Sequence, residues 1–374
     1  MPIPVPVTAV SSVRTTATRL TGLDVARCVA LVGMIGAHTF AVTAPELSWS
    51  PQTWGGLVHG RSSILFAVLG GLTLALISGR SVPVTGDDLV RARLRVVVRG
   101  ALLFALGAVV GVLSPEFPVI LHVYGVLFIA AVPFLSWGPR RLLIAAAVWT
   151  TVSPVLVWLL APIAAEISDP SGLTRILLAG NYPALVWITF MFVGLAIGRL
   201  DLTEVRVQRL LVAWGAVASV VGYGGAWLAS LLPGVSEAAT VTKKDTETGP
   251  EHDLLSLLAA DPHSGTTFEI LGSGGLAVAL IGSLLLLTRI RFARLLLTPA
   301  IALGSMTLTA YVLHAVSMAW LPVEHLFLWS VVVGLIAATV WQRLVGRGPL
   351  EGIMNWATTQ VARRTPIRSG HAGR

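Results

Sequence analysis

Asp24 and Arg27 stand three residues apart where a long apolar run begins, and His38 stands near where that run stops. Ionisable groups inside a membrane-length helix are costly, so they are candidates for function. On a helix, Asp24, Arg27, Leu31, Met34 and His38 share one narrow stripe, following spacings of three and four. A rise of ~1.5 Å per residue separates Arg27 from His38 by about 16 Å along the axis. Such a stripe suits chemistry that joins two sides of a membrane.

Further candidates lie downstream. In Trp54-Gly-Gly-Leu-Val-His59-Gly60-Arg61-Ser62-Ser63 a base, a cation and two hydroxyls fall within five residues. Histidine is the side chain suited to taking or giving a proton near neutral pH. Thr307, Tyr311 and His314 share a helix face at spacings of four and three. In lipid such a line faces a bundle interior, as a proton relay, a substrate wall or interhelical glue. His122 and His263 add two imidazoles. Arg91, Arg93, Arg95 and Arg99 form a basic cluster. It reads first as an anchor on anionic lipid, and second as a contact for the phosphates of a nucleotide-like donor. Asp24 and Arg27 likewise read as an anchoring ion pair, or as a contact for an anionic ligand.

The elements that must position these groups are membrane helices. The 374 residues are 55% hydrophobic and 12% charged, about half the charge of a soluble domain. A formal charge of +8 does not signal nucleic-acid binding here, because the arginines sit in short loops between apolar stretches. Two lysines against 24 arginines fit a GC-rich bacterial genome. On a template of about 20 apolar residues, the chain divides into ten spans. They cover residues 23–43, 57–78, 94–113, 117–136, 142–161, 181–200, 209–231, 270–288, 298–321 and 324–345. The expected architecture is thus an all-α, polytopic integral membrane bundle of about ten transmembrane helices.

Arginine counting orients it. With the N-terminus cytosolic, Arg14, Arg19, Arg80, the 91–99 cluster, Arg140, Arg141, Arg199, Arg206, Arg209, Arg289, Arg291 and Arg294 all fall inside. Arg61, Arg175, Lys243 and Lys244 fall outside, so both termini are expected in the cytosol. Residues 1–22 then form a cytosolic tail, 23–345 the membrane domain with a flexible outer loop at 232–269, and 346–374 a second cytosolic tail. Seven of the eight histidines fall outside: His38, His59, His122, His252, His263, His314 and His325, with His371 in the tail. Arg61 defies the positional bias, which calls for an anionic partner or an interfacial, snorkelling role.

Several chemistries lack support. The single cysteine, Cys28, permits no intramolecular disulfide and no cysteine metal site, and no resident metal or bound cofactor is expected. Gly272-Ser-Gly274-Gly275-Leu-Ala277 loosely fits a dinucleotide fingerprint but opens a membrane span with no strand before it. Ser63, Ala67, Gly71 and Ala75, at spacing four, predict close helix packing. No Walker, HExxH or GxSxG motif is present.

The Arg19-Leu-x-x-Leu-Asp24-x-x-Arg27 opening with His38 resembles bacterial proteins related to heparan-α-glucosaminide N-acetyltransferase. So do His59-Gly-Arg61 before Phe66-Ala-Val-Leu-Gly70-Gly71, Pro262-His263-Ser264-Gly265, and Leu308-Thr309-Ala310-Tyr311. Gly348-Pro349-Leu350-Glu351 resembles the YeiB-like branch, domain of unknown function 418. Cys28 departs from the glycine usual after the Asp-x-x-Arg arginine. The resemblance implies a transmembrane acyltransferase of the bacterial plasma membrane, with acyl-CoA, acetyl-CoA first, as cytosolic co-substrate. The acceptor would be an amine or hydroxyl on the outer side.

On this reading His59 or His38 is the general base, with His314 a third candidate. Arg61, Tyr311, Thr307, His122 and His263 contact the acceptor side, and Asp24, Arg27, Arg91 and Arg93 the donor side. The bilayer, acyl-CoA and the acceptor are the expected partners, and a homo-oligomer is compatible with the sequence. The alternative is a proton-coupled permease or flippase in which the same histidines couple and bind. A continuous tunnel with a phosphate-binding cytosolic mouth favours the enzyme; an alternately occluded central cavity favours transport.

Overall fold

The computed structural model describes residues 19–39, 58–115, 117–166, 172–235, 253–321 and 326–364. Arg14, Trp54, His252, His325, His371, Lys243, Lys244 and residues 236–252 of the 232–269 loop lie outside these residues. Among the described residues the chain is all-α. In order come α1 (Thr21–Thr39), α2 (Arg61–Ile77), α3 (Gly86–Leu113), α4 (Leu121–Ala130), α5 (Pro139–Glu166) and α6 (Leu173–Leu178). Next are α7 (Ala184–Gly198), α8 (Val205–Ser230), α9 (Thr267–Leu287), α10 (Arg291–Leu296) and α11 (Thr298–Gly304). The last are α12 (Thr307–Trp320), α13 (Leu326–Leu344) and α14 (Pro349–Arg364).

Each of the ten expected segments holds a helix, but their lengths differ. Among the described residues five, α3, α5, α8, α9 and α13, are long and apolar enough to cross a membrane, and a sixth arises if α11 and α12 count as one. That pair is bent by 79°. The break falls at Ser305–Met306, directly after Gly304, whose missing Cβ lets it sit on the Asp24 carbonyl of α1. The fourth expected span is cut short because Pro133 stands in a 3-10 turn, Val132–Phe134, that ends α4. α2 and α7 are also short, yet nearly every residue of α7 is buried. A helix apolar all round is a core helix, so the expected span 181–200 holds a buried helix of the core.

Small residues set the close crossings. A Cβ at Gly71 would strike the Met191 carbonyl, and one at Gly194 the Val68 carbonyl, so α2 and α7 touch backbone to backbone. The small-residue stripe on α2 is therefore a packing face. Gly275 of the Gly272–Ala277 run meets Gly215 and Ser219 of α8, which explains those glycines without a nucleotide.

Two features depart from the expected layout. The 346–374 segment begins as a helix, with Pro349 at its first position, where its missing N–H costs nothing. Met354, Thr358 and Ala362, at spacing four, are buried, and the helix packs on α3. Arg199, counted as a loop anchor, is buried at the end of α7. It donates to the carbonyls of Ser78 (3.2 Å), Arg80 (2.7 Å) and Leu135 (2.5 Å) and to Ser78 Oγ (2.7 Å). It ties the chain leaving α2 to the chain leaving α4.

Candidate functional site

Three cavities meet along the polar stripe of α1. A wide vestibule of about 1690 Å³ lies at the Asp24 end and is lined by five arginines, Arg19, Arg27, Arg80, Arg99 and Arg347. Arg27, Arg99, Ser305 and Glu351 also line a second cavity, of about 270 Å³, deeper in the bundle. Met34 lines that cavity and a small chamber of about 50 Å³ with His38, His59, His263, Tyr182 and Asn181. The path therefore narrows from the arginines to the histidines, and α1 follows it from end to end.

At the arginine end, Asp24 is buried and grips two guanidinium groups. Arg19 Nε donates to its Oδ2 at 2.8 Å and Arg27 Nη1 to its Oδ1 at 3.0 Å. Arg27 Nη2 also reaches Thr73 Oγ1 at 3.3 Å. Asp24 thus aims Arg27 across the junction of vestibule and middle cavity. Glu351, from α14, accepts from the N–H groups of Leu308 (2.8 Å) and Thr309 (3.2 Å) and from Thr309 Oγ1 (2.6 Å). It supplies the cap that the broken α12 lacks locally, and its charge suits the positive end of that helix. The Gly348–Glu351 motif is thus an N-cap delivered from a distant helix.

In the middle cavity, Thr307 and Tyr311 face inward as their spacing predicted, with Tyr124 opposite. Tyr311 Oη accepts from the Ile120 N–H at 3.3 Å, and Tyr124 Oη donates to the Ser63 carbonyl at 2.9 Å. Both phenols are held in place by backbone.

At the histidine end, the His59 and His263 rings meet edge to face at 5.3 Å, and Tyr182 packs on His263 at 5.2 Å. His263 has φ 67°, a left-handed backbone uncommon outside glycine. Glu269 holds that turn: it accepts from the N–H groups of His263 and Gly265, both at 2.6 Å, and from Ser264 Oγ at 3.3 Å. His263 Nδ1 lies 3.1 Å from the Asn181 carbonyl oxygen. A carbonyl only accepts, so Nδ1 carries the hydrogen and Nε2 keeps a lone pair. Burial, with His59 beside it, lowers the His263 pKa to about 4, so the ring is neutral at pH 7.

The remaining sequence candidates are placed elsewhere. His38 stacks on His314 with ring centroids 5.7 Å apart, and Phe117 packs edge-on to both. His314 lines a separate cleft and not the path. Arg61 turns to α8, donating to Tyr223 Oη at 2.7 Å, while Tyr223 bonds Ser273 Oγ at 2.7 Å. Its exceptional position is thus met by a phenol. His122 packs under Gly107 of α3, away from the other histidines. Arg91 pairs with Asp88 at 3.3 Å, and neither Arg91 nor Arg93 is among the lining residues of the three cavities. Arg99, about two helical turns further along α3, lines both the vestibule and the middle cavity.

Glu269 and Asn181 were not singled out in the sequence. Thr266-x-x-Glu269 is a capping-box pattern, and Thr266 Oγ1 does accept from the Glu269 N–H at 3.1 Å. Asn181 acts through its carbonyl, and no side-chain pattern announces that.

No curated protein matches the chain closely enough to name a relative. A family model described as "Heparan-alpha-glucosaminide N-acetyltransferase, catalytic" matches residues 19–227. That match starts at Arg19 and runs into α8, covering the vestibule arginines of α1 and α3, His38, His59 and Tyr182. Over more than half its length, this chain belongs to the heparan-alpha-glucosaminide N-acetyltransferase catalytic family.

Proposed function

We propose that the protein is a membrane-embedded acyltransferase of the bacterial plasma membrane. It takes an acyl group, acetyl in the first instance, from cytosolic acyl-CoA and delivers it to an amine or hydroxyl at the outer face. The observation that carries this reading is the path along α1. A wide, cationic vestibule suits the phosphates of CoA, a middle cavity suits the pantetheine arm, and a narrow chamber admits little more than the acyl end. On a ten-span topology with both termini inside, those ends would lie on opposite sides of the membrane.

The chemistry follows from the chamber. His59, with His263 beside it, takes the proton of the acceptor amine or hydroxyl as its nitrogen or oxygen attacks the thioester carbonyl carbon. The new N–C or O–C bond forms, the C–S bond breaks, and the CoA thiolate leaves. The imidazolium then returns its proton to the thiolate, so no other reactant is needed. Arg27 and Arg99, which bound both vestibule and middle cavity, hold the donor while Asp24 keeps Arg27 oriented.

The transport alternative gains nothing from this geometry. A cargo would have to pass a chamber of about 50 Å³, the room of one or two waters. Purified protein with labelled acetyl-CoA tests the reading, using His38→Ala, His59→Ala and His314→Ala separately. Absence of acetyl-CoA binding, or wild-type transfer in all three variants, overturns it.

A further inference from the structure

Beside the path, α12 and α13 meet at few residues and leave a cleft of about 540 Å³ between them. Its walls are apolar, with Leu313 and Trp329 still largely exposed at its rim. Between two membrane helices such an opening faces lipid rather than water. Its size falls within the ~300–1,000 Å³ of small-molecule sites.

One level of the cleft is polar. His314, Ser317 and Ser330 line it together, and Ser330 Oγ lies 3.4 Å from His314 Nδ1. His314 is only 4% exposed, and its Nε2 has no hydrogen-bond partner among the described residues. The Ser317 and Ser330 hydroxyls on this wall can meet a ligand hydroxyl or amine at the same level. The same ring stacks on His38, which lines the histidine chamber. The cleft and the chamber are therefore separated by little more than two imidazoles and the edge of Phe117.

We infer that the acyl acceptor is a membrane lipid carrying a hydroxyl or amine in its head group. The lipid enters sideways between α12 and α13, its chain in the cleft and its head at His314 and Ser330. The inference rests on the acyltransferase reading and names the acceptor class for it. It also accounts for the chamber, which as bounded by the described residues has no room for a whole sugar. Only the reacting group of the acceptor needs to enter. There the head-group oxygen or nitrogen gives up its proton to imidazole and bonds to the acyl carbon, and CoA leaves as thiol.

The test uses the full chain in nanodiscs of bacterial polar lipid with radiolabelled acetyl-CoA, and soluble sugars and amines as competing acceptors. Label should move into the organic-extractable lipid fraction. Ala337→Trp, which fills the cleft, should lower that transfer about tenfold or more while acetyl-CoA affinity holds. Ser330→Val removes the polar contact without filling the cleft and serves if the bulkier variant does not fold. Label confined to soluble acceptors, or lipid transfer indifferent to both substitutions, overturns the inference and leaves the acyltransferase reading standing. If acetyl-CoA does not bind at all, that reading falls. The acceptor role falls with it, and lipid binding in the cleft is judged alone by mass spectrometry of co-purified lipid: hydroxyl or amine lipid retained by wild type and lost in Ala337→Trp supports binding, and no difference excludes it.

Discussion

His59 and His263 meet edge to face, with ring centroids 5.3 Å apart, although one precedes α2 and the other precedes α9. Neither ring stands on a long helix, so each is positioned by a turn: His59 before Gly60, and His263 by the carboxylate of Glu269. On the proposed mechanism, His59→Ala should lower transfer by about 10²–10⁴-fold, the usual worth of a general base. Binding of acetyl-CoA, measured by calorimetry, should be unchanged. A parallel loss of binding would show that His59 builds the donor site.

The low pKa of His263 implies a pH dependence of stability. Its folded value, about 4, lies below the ordinary value of 6.5. Between those values the unfolded chain binds a proton that the folded one refuses, so stability falls as pH drops through that window. His263→Asn should therefore lose less melting temperature than wild type between pH 6.5 and pH 4. Equal slopes for both proteins would contradict the buried, neutral ring.

Arg99 and Arg27 separate donor binding from lipid anchoring. Arg99→Ala should raise the KM for acyl-CoA by about 10–100-fold, the range of one lost hydrogen bond between charged groups. Arg91→Ala and Arg93→Ala should leave KM near wild type, because neither lines the cavities. The reverse pattern would move the donor site to the surface of α3.

Arg199 is the stability test. Arg199→Met leaves the Arg80 and Leu135 carbonyls and Ser78 without their donor. At about 1–3 kcal/mol for an unsatisfied buried group, thermal unfolding in detergent should shift down by several degrees. Arg199→Lys should recover only part of this, since an ammonium cannot reach the same fan of oxygens. A melting temperature unchanged in Arg199→Met would mean that water replaces the guanidinium.

Much of this was legible beforehand, and the rest has identifiable causes. The stripe Asp24–Arg27–Met34–His38 is a local periodicity, so its lining of the path could be read from spacing alone. Leu31, on the same stripe, turns to the neighbouring cleft, because the stripe is wider than the path. The length of a span was less legible. Pro133 and the Gly304 crossing shorten helices that hydropathy counts as whole. Which arginines of the 91–99 cluster turn inward depends on how α3 lies against α4, and charge counting is blind to that. Glu351 lies far along the chain from α1, and only the fold brings it to Arg99.

The narrowing at Met34 bears on the electrical seal of the membrane. An open, hydrated pore from a cationic vestibule to a histidine chamber would leak protons and anions down the resting potential. A thioether is unbranched and polarizable, and closes around whatever fills the passage. On the proposed reading it passes a neutral acyl end and retains the phosphates behind it. One elementary charge crossing 100 mV involves about 2.3 kcal/mol; an uncharged acyl group crosses without that term. Group transfer of this kind would then be independent of membrane voltage, a property that electrode recordings on reconstituted protein can verify.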